Sequence, residues 1–169
     1  MKLIKIKILG VVLAFLYSFI IHELYNKMPC FITSIISPIN ESIFEHMKII
    51  FGSLILSGVT QKIIVILKKY KYNNICFSNF LAAILGIFIF LIMFLPVYYT
   101  IGENLPITLI IMFITYIIAE YISYTIIKKP DLKLENKTIV FVIIIYIIFG
   151  LLTYYPLNSP LFIEKQKII

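Results

Sequence analysis

The chain alternates long apolar runs with short polar breaks. A membrane-crossing helix needs roughly 17–25 mostly apolar residues. Five runs meet that requirement: 8–24, 47–67, 77–99, 105–127 and 138–155. The first follows Lys2, Lys5 and Lys7, so its beginning has the basic-then-apolar layout of a signal peptide. No small-x-small cleavage site follows; His22, Glu23, Leu24 and Tyr25 stand there instead, and the run is expected to be a retained helix. The helix of the second span is expected to start at Pro38. Ser37 suits the N-cap, Pro38 the first helical position, and Glu41 the first turn, where the helix dipole favours an acid. Pro156 stops the fifth run. Segment 26–37 is apolar but too short to span. It reads as a connector on the membrane surface or a piece that dips into one leaflet. The pattern predicts an all-α fold: a polytopic membrane helical bundle of about five transmembrane helices, forming one integral membrane domain over residues 1–169.

Composition strengthens that reading. Hydrophobic residues make up 62% of the 169 positions and charged residues 14%, against roughly 25% charged in a soluble domain. There is too little polar surface to cover a water-soluble globule, so the lipid bilayer is the expected partner. The net charge is +7, and every basic residue is Lys. The absence of Arg beside abundant Lys, Ile and Asn points to an AT-rich genome. The lysines flank the apolar runs and do not interleave with aromatics in a patch, which argues against nucleic-acid binding.

Lysine placement then orients the chain. Lys2, Lys5 and Lys7 precede the first span, Lys68, Lys69 and Lys71 follow the second, and Lys128, Lys129, Lys133 and Lys137 lie between the fourth and fifth. These segments share one face. The opposite face carries Glu23, Glu41, Glu45, Glu103 and Glu164. The positive-inside rule predicts a multi-pass cell-membrane protein with its N-terminus inside and its C-terminus outside. Cys30 and Cys76 then fall on opposite faces and cannot bridge.

The same orientation gathers the chemistry-bearing side chains at the outer face. His22 and Glu23 close the first span, Asn40, Glu41, Ser42, Glu45 and His46 open the second, and Glu103 and Asn104 join the third to the fourth. On a helix from Pro38, Glu41, Glu45 and Lys48 form one stripe, and Ser42 and His46 an adjacent one. A metal site would need His22 and His46 with a carboxylate such as Glu41 or Glu23, a ligand set suited to zinc and similar divalent ions. No His-Glu-x-x-His motif and no nucleophile elbow is present. Within the spans stand Gln61 and Glu120, at similar depth, close enough in level to hydrogen-bond. An intramembrane carboxylate is a functional candidate by default.

The run His-Glu-Leu-Tyr at 22–25, followed by Ser-Pro-Ile-Asn-Glu-Ser-Ile-Phe-Glu-His-Met-Lys at 37–48, resembles an uncharacterised family of small bacterial multi-pass membrane proteins. That family's motif typically reads Ser-Pro-Val-Asn-Glu-Ser-x-Trp-Glu-His-x-Lys, and Phe44 stands here at the Trp position. Residues 96–104 and 153–162 also resemble its later segments. The resemblance implies an all-helical membrane fold, assigns no activity, and suggests that Asn40, Glu41, Glu45 and His46 matter jointly.

Three functional expectations follow. The leading one is a non-enzymatic membrane protein whose polar cluster organises the bundle or binds a small polar ligand, a protein partner or a second copy of the chain. The second is a membrane-embedded, metal-dependent hydrolase or transferase acting on a lipid-like substrate. The third is a small proton- or cation-coupled transporter using Glu120.

Overall fold

The computed structural model describes residues 3–102 and 104–163. Six α-helices account for most of these: α1 (Leu3–Lys27), α2 (Phe31–Ile36), α3 (Ile43–Leu67), α4 (Ile75–Ile101), α5 (Leu105–Ile127) and α6 (Thr138–Tyr154). A 3-10 turn, Glu135–Lys137, leads into α6, and another, Pro160–Phe162, follows it. Among the described residues, five helical segments are long and apolar enough to cross a membrane, with Glu135–Tyr154 the fifth. At 1.5 Å per residue, α1 and α3, with 25 residues each, run about 37 Å and exceed a hydrocarbon core of about 30 Å.

The helices begin and end for local reasons. The second span starts five residues later than Pro38, which corrects the expected start. The Ser37 hydroxyl does not cap a helix. It donates to the Ile21 carbonyl (2.6 Å) and accepts from the Tyr25 amide (3.0 Å), fastening this segment to α1. Asn40 Oδ1 accepts from the Ser42 amide (3.0 Å), holding the chain in a bend. Ser42 is the true N-cap, its hydroxyl accepting from the Glu45 amide. Asn104 caps α5 in the same way, accepting from the Ile107 amide (3.2 Å). At α4 the residue before the helix, Asn74, has φ +59° and turns its side chain away to Lys129, Pro130 and Leu132. The α4 N-terminus is met instead by Glu135, whose Oε2 accepts from the Cys76 (2.7 Å) and Phe77 (3.0 Å) amides. An acid there matches the positive end of the helix dipole. Lys62 pairs with the other oxygen of Glu135 at 3.0 Å.

Helices α1, α3, α4 and α5 form the central bundle, α1 and α4 each packing against both α3 and α5. Short α2 lies against α6, and α6 touches α4 more lightly. The apolar core is aromatic-rich, with Phe51, Phe90 and Tyr116 fully enclosed. Isoleucines along α6, such as Ile139, Ile143 and Ile147, face outward, as lipid contact requires.

Toward the lysine-rich end the interior turns polar. Lys7 belongs to α1 and is buried; it does not sit in a flanking segment ahead of the helix. Its ammonium donates to Gln61 Oε1 (2.7 Å), Asn79 Oδ1 (2.6 Å) and Ser123 Oγ (2.6 Å). Glu120 Oε2 stands 3.0 Å from the same nitrogen. Three protons serve three neutral oxygens, so this carboxylate oxygen holds the charge contact without a hydrogen bond of its own. The other oxygen, Oε1, accepts from Gln61 Nε2 at 2.6 Å, and the Ser57 hydroxyl donates to the Gly10 carbonyl at 2.8 Å. One network thus joins four helices. Close approach is required for it: a Cβ on Gly10 would collide with Gln61 and Glu120, and one on Gly58 with Asn79. A layer of Ile6, Val65, Ile75 and Ile127 packs at the lysine-rich end of the network, one residue to one helical turn beyond its members.

Removing one member of a buried ion pair strands the other charge and costs about 3–5 kcal/mol, whereas an apolar replacement of both is far milder. Lys7→Met and Glu120→Met are each expected to lower the midpoint of thermal unfolding in detergent strongly. Lys7→Met/Glu120→Met should recover most of that loss. A double variant as unstable as the sum of the two singles would refute the pairing as the source of stability.

Candidate functional site

The other end of the bundle holds the histidines. His22 projects from the last turns of α1 and His46 from the first turn of α3. Glu41 lies in the bend before α3, outside any helix. Because the helix starts at Ile43, Glu41 leaves the stripe expected with Glu45 and Lys48 and swings toward the two imidazoles. Its Oε1 lies 3.7 Å from His22 Nε2 and its Oε2 lies 3.5 Å from His46 Nε2. One ligand atom from each of the three residues falls within 4.8 Å of the others.

The ring nitrogens remote from Glu41 also face acceptors. His22 Nδ1 stands 3.3 Å from Glu23 Oε1, and His46 Nδ1 stands 3.0 Å from the Ser42 carbonyl. A carboxylate and a carbonyl can only accept, so these contacts suit a hydrogen on Nδ1. With Nδ1 donating, each Nε2 faces the Glu41 carboxylate across a longer gap that a proton or a bound cation would fill. Orientation of an imidazole through its remote nitrogen is the usual outer-shell arrangement of metal-binding histidines. His46 is also stacked on Phe94, with centroids 6.4 Å apart. A cavity of about 230 Å³ adjoins the three residues, between α1, α3 and α5.

Glu45 has a different task. Its Oε2 pairs with the fully buried Lys48 ammonium at 2.7 Å, and Lys48 also donates to the Ser34 carbonyl at 2.8 Å. Glu45 further accepts from the Ile39 amide (3.0 Å) and the Thr153 hydroxyl (3.1 Å). This one ion pair ties α2, the bend before α3 and α6 to the end of the bundle. The Ser34 and Tyr154 hydroxyls, 2.8 Å apart, add a second tie between α2 and α6.

The sequence-predicted residues therefore divide. His22, Glu23, Glu41 and His46 come together. Asn40, Ser42 and Asn104 serve bends and caps, Glu45 serves Lys48, and Gln61 meets Glu120 far from the histidines. Glu103 lies outside the described residues, as do Lys2 and Glu164. Sequence reasoning missed Lys7 as the partner of Glu120, together with Asn79 and Ser123. The signal was the spacing of Lys7, Gly10, Ala14 and Ser18 in α1 and of Ser53, Ser57 and Gln61 in α3, polar and small residues repeating at helical intervals and all buried.

A family model described as a family of unknown function (DUF6512) matches residues 1–168. No curated protein and no solved structure matches the chain.

Lys48 depends on Glu45 for its only carboxylate at ion-pair distance among the described residues. Glu45→Ala is expected to cost about 3–5 kcal/mol and to expose α2 to limited proteolysis. Glu41→Ala should leave stability within about 1 kcal/mol, since its contacts are partly exposed. Equal thermal losses for the two variants would contradict this division.

Proposed function

The chain belongs to the family of unknown function DUF6512, and we propose that it is a multi-pass membrane protein whose working site is a divalent-metal centre of His22, Glu41 and His46. The observation that carries this reading is the pairing of remote and near nitrogens. Each Nδ1 is held by an acceptor, and each Nε2 is turned to the same carboxylate. Metal–ligand bonds of about 2.0–2.1 Å in a tetrahedron put neighbouring ligand atoms about 3.4 Å apart. The two nitrogen–oxygen separations, 3.5 and 3.7 Å, are close to that edge, each to a different oxygen of Glu41, and one ligand atom from each residue lies within 4.8 Å of the others. Two imidazoles and one carboxylate are zinc-type ligands, and three protein ligands leave one coordination position open. That open position is what hydrolytic zinc sites fill with water.

Glu120 supports the bundle instead of a transport path. Its charge is matched by Lys7, and the Ile6, Val65, Ile75 and Ile127 layer lies between the network and the lysine-rich end. We place the lysine-rich end in the cytoplasm, which puts the metal centre at the outer face.

After zinc loading and gel filtration, elemental analysis should find a single zinc ion per chain, with affinity falling on acidification because the imidazoles must be deprotonated to bind. His22→Ala and His46→Ala should each abolish it, and Asp131→Asn should not. Unchanged zinc in His22→Ala/His46→Ala would remove the proposal. Orientation has its own check through Cys30, which is exposed, while Cys76 is half-buried at the lysine-rich end. The side chain and backbone of Thr33 hydrogen-bond to the Cys30 thiol and hold it below its ordinary range. The thiolate is the reacting form, so labelling should persist to lower pH than for an ordinary thiol. A membrane-impermeant maleimide on intact cells should modify Cys30 and spare Cys76. Thr33→Val should raise the pH needed. Labelling of Cys76 alone would invert the orientation.

A further inference from the structure

The cavity beside the histidines has walls that do not match its floor. Phe19 on α1 and Leu105, Leu109 and Met112 on α5 make it apolar. The two hydroxyls in it are committed to backbone: Ser18 donates to the Phe15 carbonyl (2.7 Å) and Thr108 to the Asn104 carbonyl (3.0 Å). The polar groups left for a ligand are those of His22, Glu41 and His46. Phe19 is 46% exposed and Leu105 68%, so the rim of the cavity is formed by exposed apolar side chains of α1 and α5. Its volume of about 230 Å³ exceeds the roughly 150 Å³ that accepts a benzene ring.

Charge narrows the occupant further. Among its direct ligands, a divalent ion with neutral imidazoles and the Glu41 carboxylate carries one net positive charge; the Glu23 carboxylate behind His22 is half-exposed and screened by solvent. A single anionic ligand in the open position neutralises that inner charge on the cavity's apolar side. We propose that this site takes an anionic single-chain amphiphile, whose carboxylate or phosphate oxygen is the fourth metal ligand and whose alkyl chain lies along Phe19, Leu105, Leu109 and Met112. The inference rests on the metal reading and adds the ligand class. It commits to a lateral approach from the bilayer and not to a water-soluble anion.

Cobalt(II) in place of zinc makes coordination visible. The full-length protein in a non-ionic maltoside detergent is loaded with cobalt, and its visible absorption bands are followed during titration. Dodecyl phosphate and decanoate should each shift the bands, one arm for each head group. Either should act at concentrations about tenfold or more below those of inorganic phosphate or acetate, and dodecanol should leave the bands unchanged. Enrichment of the amphiphile in the micelle is separated by Leu109→Trp, which fills the cavity without touching the micelle. It should keep cobalt bound and lose the preference for alkyl anions, and the milder Leu109→Phe should lose part of it. Absence of cobalt bands overturns the metal reading itself. Cobalt bands that respond to inorganic phosphate as readily as to dodecyl phosphate, or a preference that survives Leu109→Trp, overturn the amphiphile alone.

Discussion

The Lys7–Glu120 contact sets the terms for the rest of the bundle. Neither charge is tolerable alone at membrane depth, and their attraction offsets that cost only when the remaining oxygens and protons are also matched. Gln61, Asn79 and Ser123 supply the match, and they come from three different helices. The four central helices must therefore share one register along the bundle axis. In lipid no hydrophobic effect drives helices together, and small residues and polar contacts take that role. Gly10 and Gly58 allow the approach, and the network rewards it.

At the opposite end a second buried pair does a different job. Glu45 and Lys48 share a helix, so their contact fixes no helix–helix register. What it fixes is the irregular chain above the bundle, through Ser34, Ile39 and Thr153. With Glu45 consumed there, Glu41 is left outside the helix and meets two histidines already held by Glu23 and the Ser42 carbonyl. The metal reading thus comes from a division of labour between two acids four residues apart. The placing of a helix start decides which acid goes where.

That placing explains how much could be read from the chain alone. Five spans were legible because apolar length is a property of one segment at a time. The pool of polar residues at that end was legible because polar residues are rare here. Its grouping was not, since Ser37 and Pro38 carry a credible N-terminal signal that tertiary contacts override: the Ser37 hydroxyl is drawn to the Ile21 carbonyl and the Tyr25 amide. Lys7 was harder still. A lysine next to an apolar run reads identically whether it flanks the helix or enters it, and only the partner 113 positions later distinguishes the two, as Glu120 does here. His22 and His46 could be proposed as a pair from ligand type, but the roles of their remote nitrogens depend on backbone geometry that no local pattern encodes.

The acid that meets the first turn of α4 lies 59 positions further on in the chain. As the chain is made, those amides lack this partner until α5 and the turn after it have followed. Glu135 therefore works as a late latch. It closes the hairpin of α4 and α5 from outside and draws in Lys62 of α3 in the same movement. A chain interrupted after α5 would hold every central helix and still lack the residue that records their completion.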